Sequence, residues 1–112
     1  MLSKDLVAAS SRPLVLSILS KNESYGYEIL KTIKEQSKQQ IEWKEGMIYP
    51  LLRKLENEEL IESFWKVSDT GRKRKYYRIK KSGEKYLEDQ KKQWELINSV
   101  LGQLWEDKVC LT

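Results

Sequence analysis

The hydrophobic period of this chain changes at Ile61, and that change limits the folds open to it. Ile61, Ser63, Trp65 and Val67 alternate with Glu62, Phe64 and Lys66, the two-residue repeat of a strand with unlike faces. Ser68 to Lys73 reads as a turn, with Asp69 and Gly71 as turn formers. Arg74 to Ile79 returns, Tyr77 and Ile79 facing one way and Arg74, Tyr76 and Arg78 the other. The other periodic segments repeat at three and four residues, so the expected fold class is mostly α with a small β-hairpin.

The first helical signal runs from Arg12 to Ser20, with Leu14, Val15, Ile18 and Leu19 on one face, Ser11 as its cap and Pro13 in its first turn. Leu2 to Ala9 before it is helix-compatible, either a separate turn or a continuation kinked at Pro13. Ser24 is placed to cap a second helix reaching about Ser37, striped by Tyr25, Ile29, Leu30 and Ile33. Ile41 and Trp43 follow as a short extended piece. A third helix is expected from Glu45 to Glu58, with Ile48, Leu51, Leu52 and Leu55 towards a core. Pro50 is tolerable only near its N-terminal turn. Ser82 and Gly83 precede a long last helix, about Gly83 to Lys108. Three helices followed by a hairpin make the winged helix-turn-helix plan, here extended by a C-terminal helix.

Charge is concentrated where a wing would lie. Lys66 to Lys81 holds eight Lys/Arg and one Asp, a local charge of +7, against +4 for the whole chain of 112 residues, so the remainder sums to −3. Such a concentration on an element that can protrude points to a polyanion, and nucleic acid is the expected partner. The chain has no histidine, so His-dependent triads and His metal ligands are excluded; glycine-rich phosphate loops are absent too. Its carboxylates interleave with lysines as on solvated helix faces. The expectation is a protein that is not an enzyme and takes no cofactor or metal. One cysteine, Cys110, and no run of about 18 apolar residues fit a cytoplasmic chain without a membrane span or signal peptide.

Three blocks carry a family resemblance. Tyr25 to Ile29 (YGYEI), Gly46 to Ile61 (GMIYPLLRKLENEELI) and Thr70 to Gly83 (TGRKRKYYRIKKSG) resemble, in order and spacing, the signature blocks of the PadR family of transcriptional regulators. The resemblance covers roughly Leu14 to Trp94, and the single last helix is similar to the short subfamily that includes multidrug-responsive repressors. It implies a winged helix domain (residues 1–82) that binds operator DNA and a dimerisation helix (residues 83–112). It also implies a repressor released by a small aromatic, phenolic or drug-like ligand. Two departures stand out. The second block often has Glu-Gly where Glu58-Glu59 stands, which predicts a less sharply broken helix end. The third often has Pro where Lys73 stands, which gives the wing another charge.

In a winged helix the third helix enters the major groove and the wing meets the backbone or adjacent minor groove. The side chains placed on the groove face are Met47, Tyr49, Pro50, Arg53 and Lys54; the wing adds Arg72, Lys73 and Arg74, with Tyr76 a phosphate contact and Tyr77 closing the core against Ile61. In the last helix Leu87, Gln90, Trp94, Ile97, Leu101 and Leu104 recur three or four apart, widened by Val100 and Trp105. A second copy can cover that stripe, and a twofold dimer suits a palindromic double-stranded site. Packing against the chain's own first helix is the other use of Leu87 and Ile97. By the resemblance, Trp94 matches a tryptophan that stacks planar aromatic effectors between subunits; a buried dimer-core role is the alternative. A winged-helix module for RNA or protein is the competing function, with Tyr76 and Tyr77 available to stack on bases.

Overall fold

The computed structural model describes the backbone of residues 2–110 and the side chains of residues 2–106; Cys110 and the end of the last helix therefore lie outside the described side chains. The elements are α1 (Lys4–Lys21), β1 (Ser24–Tyr25), α2 (Gly26–Gln36), α3 (Glu45–Asn57), β2 (Ile61–Val67), β3 (Lys73–Ile79) and α4 (Lys81–Cys110). They form a helical core with a three-stranded antiparallel sheet in the order β1-β3-β2, the winged helix-turn-helix arrangement.

Helix α1 is one helix through Pro13, not a segment starting there. Ser3 is its cap, accepting from the Leu6 amide, while Ser11 is buried mid-helix and donates to the Ala8 carbonyl. Val7 packs on the core before the proline, and Val15 and Leu16 are buried after it. Packing on both sides holds the helix across a residue that cannot donate a hydrogen bond. Ser24 is likewise not a cap. It belongs to β1, opposite Tyr77, and its hydroxyl donates to Glu28 Oε1 at 2.6 Å. Two residues are too short a strand to show a period. Ile41 to Lys44 is irregular, and Trp43 is buried in the core.

Helix α3 ends as sharply as a glycine would end it. The Glu59 amide donates to the Glu56 carbonyl and the Leu60 amide to the Leu55 carbonyl, the paired bonds of a Schellman motif. Glu59 takes the left-handed position with φ +62°. The expectation of a softer end fails because those two bonds and the seating of Leu60 against the core impose the turn on a residue with a Cβ. Across it, Arg12 makes a two-pronged pair with Glu58, Nη2 to Oε2 at 2.8 Å, tying α1 to the end of α3.

The hairpin register sets Ile61 opposite Ile79, Ser63 opposite Tyr77, Trp65 opposite Lys75 and Val67 opposite Lys73. Its turn closes with the Ser68 amide on the Arg72 carbonyl, and Gly71 supplies φ +81°. Helix α4 then starts hard against the core. A Cβ on Gly83 would sit 2.1 Å from the Leu60 carbonyl oxygen, and Leu87 is only 2% exposed. The expected division between residues 82 and 83 thus falls inside a docked helix whose first turns belong to the core. Its 30 residues span about 45 Å. The molecule measures 63 × 30 × 21 Å, with a radius of gyration of 16.6 Å where a compact chain of this length would have about 13 Å. The excess is the distal half of α4, where Leu96, Ile97, Val100, Leu104 and Trp105 are exposed.

Candidate nucleic-acid interface

Helix α3 buries Ile48, Leu52 and Leu55 and leaves Tyr49, Pro50, Arg53 and Lys54 exposed on its outer side. Met47 departs from expectation. It is half-buried and packed on the core, because with Leu51 it forms the row bordering the buried stripe. Tyr49 is fixed by its neighbour rather than by a hydrogen bond: its ring lies where a side chain on Gly26 would be.

The wing has two unlike faces. One faces α3 at its base, where the Ser63 hydroxyl donates to Glu56 Oε2 and Tyr77 is buried in the core cluster with Ile61. The Tyr77 phenol is pushed above its ordinary pKa, first by burial and then by Glu56 and Tyr49, with Arg53 opposing. These neighbours place the base of this face directly beside the outer residues of α3. Further out the same face carries Trp65, Val67, Lys73 and Lys75, all exposed. Among the described residues neither lysine has a carboxylate within ion-pair distance.

On the opposite face the cations are occupied. Arg78 Nε bonds Glu62 Oε2 at 2.8 Å and lies 4.4 Å over the Phe64 ring. Lys66 pairs with Glu23 at 3.3 Å. Arg74 is half-buried, its guanidinium 4.6 Å over Tyr25 and its Nε buried without a partner. Tyr76 is 8% exposed, edge-on to Tyr25 at 5.1 Å and stacked on Phe64 at 5.9 Å. Tyr76 and Arg74 therefore sit in an aromatic pack behind the wing, away from the face shared with α3. Alternation alone separates Arg74 from Lys73, but reading the tip as one cluster of three cations hid it. Lys75 was missed for the same reason; its two-residue spacing from Lys73 and Tyr77 was the available signal. Arg72 remains exposed in the turn.

The seam read from the last helix divides similarly. Leu87 leaves it, being sealed in the chain's own core. Gln90, Trp94 and Leu101 are half-buried, while Ile97 and Leu104 are exposed with Leu96, Val100 and Trp105. Trp94 lines a hollow of about 220 Å³ with Ser10, Pro13, Leu14 and Ser17 of α1.

Residues 15–89 match the transcriptional regulator PadR-like family. A PadR-like transcriptional regulator from Bacillus cereus superposes with a TM-score of 0.82 at 33% identity, covering 91% of this chain and 97% of that one. A PadR family transcription regulator from Clostridium difficile superposes at 0.77 with 36% identity, covering 86% and 98%. The transcriptional regulator YqjI of Escherichia coli is 30% identical over 86 residues, 77% of this chain but 40% of that protein's length.

Proposed function

This chain belongs to the PadR-like family of transcriptional regulators, and from that premise we propose that it is a cytoplasmic, homodimeric repressor that reads a palindromic operator in duplex DNA and performs no catalysis. The observation that carries the reading is the shared surface of α3 and the wing. Tyr49 and Arg53 lie beside Tyr77 at the base of the wing face, and Lys54 is exposed on the same outer side of α3. Further out that wing face carries Lys75 and Lys73, whose charges no carboxylate among the described residues neutralises. Arg53 and Tyr49 read base edges; Lys73, Lys75 and Arg72 hold phosphates and carry no sequence information.

The exposed apolar half of α4 supports the dimer. Ile97, Val100 and Leu104 make a stripe, flanked on either side by Leu96 and Trp105, that a second α4 would cover, setting two α3 helices about one turn of DNA apart. Trp94, half-buried over its hollow, is the site at which a planar aromatic effector would stack and release the operator. The test is a gel shift with the chain's own upstream region as duplex, competed by single-stranded RNA at equal salt, with and without planar aromatic dyes. Retention of the duplex against RNA is expected. Preference for RNA would give the RNA-binding module instead, and indifference to every dye would remove that class of effector.

A further inference from the structure

We propose that Trp65 contacts DNA: its indole, with Val67 beside it, lies against the deoxyribose–phosphate wall of the duplex and supplies a share of the affinity that salt does not weaken. The inference rests on the DNA-binding reading above and adds to it a residue of a different chemistry.

Trp65 is 62% exposed and Val67 63%, although both are large apolar side chains on a regular strand. Neither belongs to the core cluster, which on this face of the wing ends at Ile61 and Tyr77. Each stands opposite a lysine, Trp65 facing Lys75 and Val67 facing Lys73, and Lys73 Nζ lies 5.7 Å from the indole centroid. The four residues form one patch that is apolar and positively charged together, on the wing face that begins beside Arg53 and Tyr49. The opposite face has three cations: Lys66 and Arg78 are paired with Glu23 and Glu62, and Arg74 lies over the Tyr25 ring. A duplex backbone offers the complement, phosphates alternating with the hydrocarbon of deoxyribose. The ammonium groups take the phosphates, the indole and valine cover the sugar between them, and the indole N–H donates to a phosphate oxygen.

Apolar and ionic contacts respond differently to salt, which separates the two contributions. Wild type, Trp65→Ala, Trp65→Phe and the double variant Lys73→Ala/Lys75→Ala would be titrated with a short labelled duplex of arbitrary sequence over about 50 to 200 mM salt. Trp65→Ala is expected to weaken binding on the order of tenfold at every salt concentration with the slope unchanged, and Trp65→Phe to keep most of the affinity. The lysine double variant should flatten the slope by about 2 for each wing on the duplex, about 4 for the dimer. The emission that distinguishes wild type from Trp65→Phe should change when DNA is added. Exposure of Trp65 means that its variants keep their fold, which circular dichroism and a melt check.

Binding by Trp65→Ala within about twofold of wild type, while the lysine variant flattens the slope, overturns the Trp65 contact and leaves the DNA reading standing. A wild type without affinity for the duplex at the lowest salt overturns both. A change in sedimentation by Trp65→Ala without loss of duplex affinity makes the patch a protein contact, and also overturns the proposal.

Discussion

A β-carbon on Gly26 would lie 2.6 Å from Cε1 of Tyr49, so the first residue of α2 is a seat for a ring on α3. Gly26→Ala fills that seat. The displaced atoms are the far end of a partly exposed side chain, and alanine favours a helix over glycine, so stability should change by less than about 1 kcal/mol. Tyr49, however, swings away from its place on the groove side. Operator affinity should fall in Gly26→Ala and in Tyr49→Ala, and the double variant should lose no more than Tyr49→Ala alone. Full additivity in the binding cycle would show that the ring's seat is irrelevant to DNA.

Arg53 distinguishes reading from holding. If it takes a base edge, Arg53→Ala costs about 1–3 kcal/mol on the operator and little on random duplex. Equal losses on both would make it a phosphate contact. Competition titrations at one fixed salt concentration decide between the two.

Glu59→Gly should stabilise the protein. A side chain in the left-handed region costs roughly 1 kcal/mol that glycine avoids, and the bonds closing α3 are backbone bonds that the change leaves intact. The flexibility glycine adds to the unfolded chain offsets part of the gain. A rise in Tm of a few degrees is expected at fixed protein concentration; an unchanged or lower Tm would mean that Glu59 makes a compensating contact.

The Arg12–Glu58 pair gives acid sensitivity to the join between α1 and α3. Its hydrogen bond from Arg12 holds the Glu58 carboxyl below the ordinary value of 4.5, against a smaller desolvation effect. A depressed folded-state pKa means the contribution is complete above the unfolded value and is lost as pH falls through the folded one. The pair is partly exposed, so screening limits it to about 1 kcal/mol or less. Glu58→Gln should therefore lower Tm near neutral pH and melt with the wild type once pH is well below 4.5. A gap that persists in acid would show that packing, not charge, is lost.

Ile97→Glu together with Leu104→Glu puts two charges into the exposed stripe of α4. Sedimentation of the pair variant should give a monomer where wild type gives a dimer. The fold should survive, since neither residue is buried in the single chain. A wild type that sediments as a monomer at micromolar concentration would remove the dimer from the functional reading.

Element type in α3 and β2 was decided locally. Ile48, Leu52 and Leu55 recur at helical spacing because one stripe of α3 must leave water, and at the start of β2 Ile61 and Ser63 turn inward while Glu62 between them stays exposed. The concentration of charge between Lys66 and Lys81 is likewise a property of the chain alone. What residues meet across the fold was not decided locally. Arg74 and Lys73 are adjacent and equally basic, yet one is spent on Tyr25 and the other left for a partner, because β1 pairs with β3 and brings Tyr25 to only one face. Leu87 and Ile97 occupy the same heptad seam, yet only Leu87 meets the core, because Gly83 lets α4 dock on the Leu60 carbonyl and the helix then outruns the domain. Period reports which face leaves water. The partner that covers that face depends on contacts between segments far apart in the chain, and these exist only once it has folded.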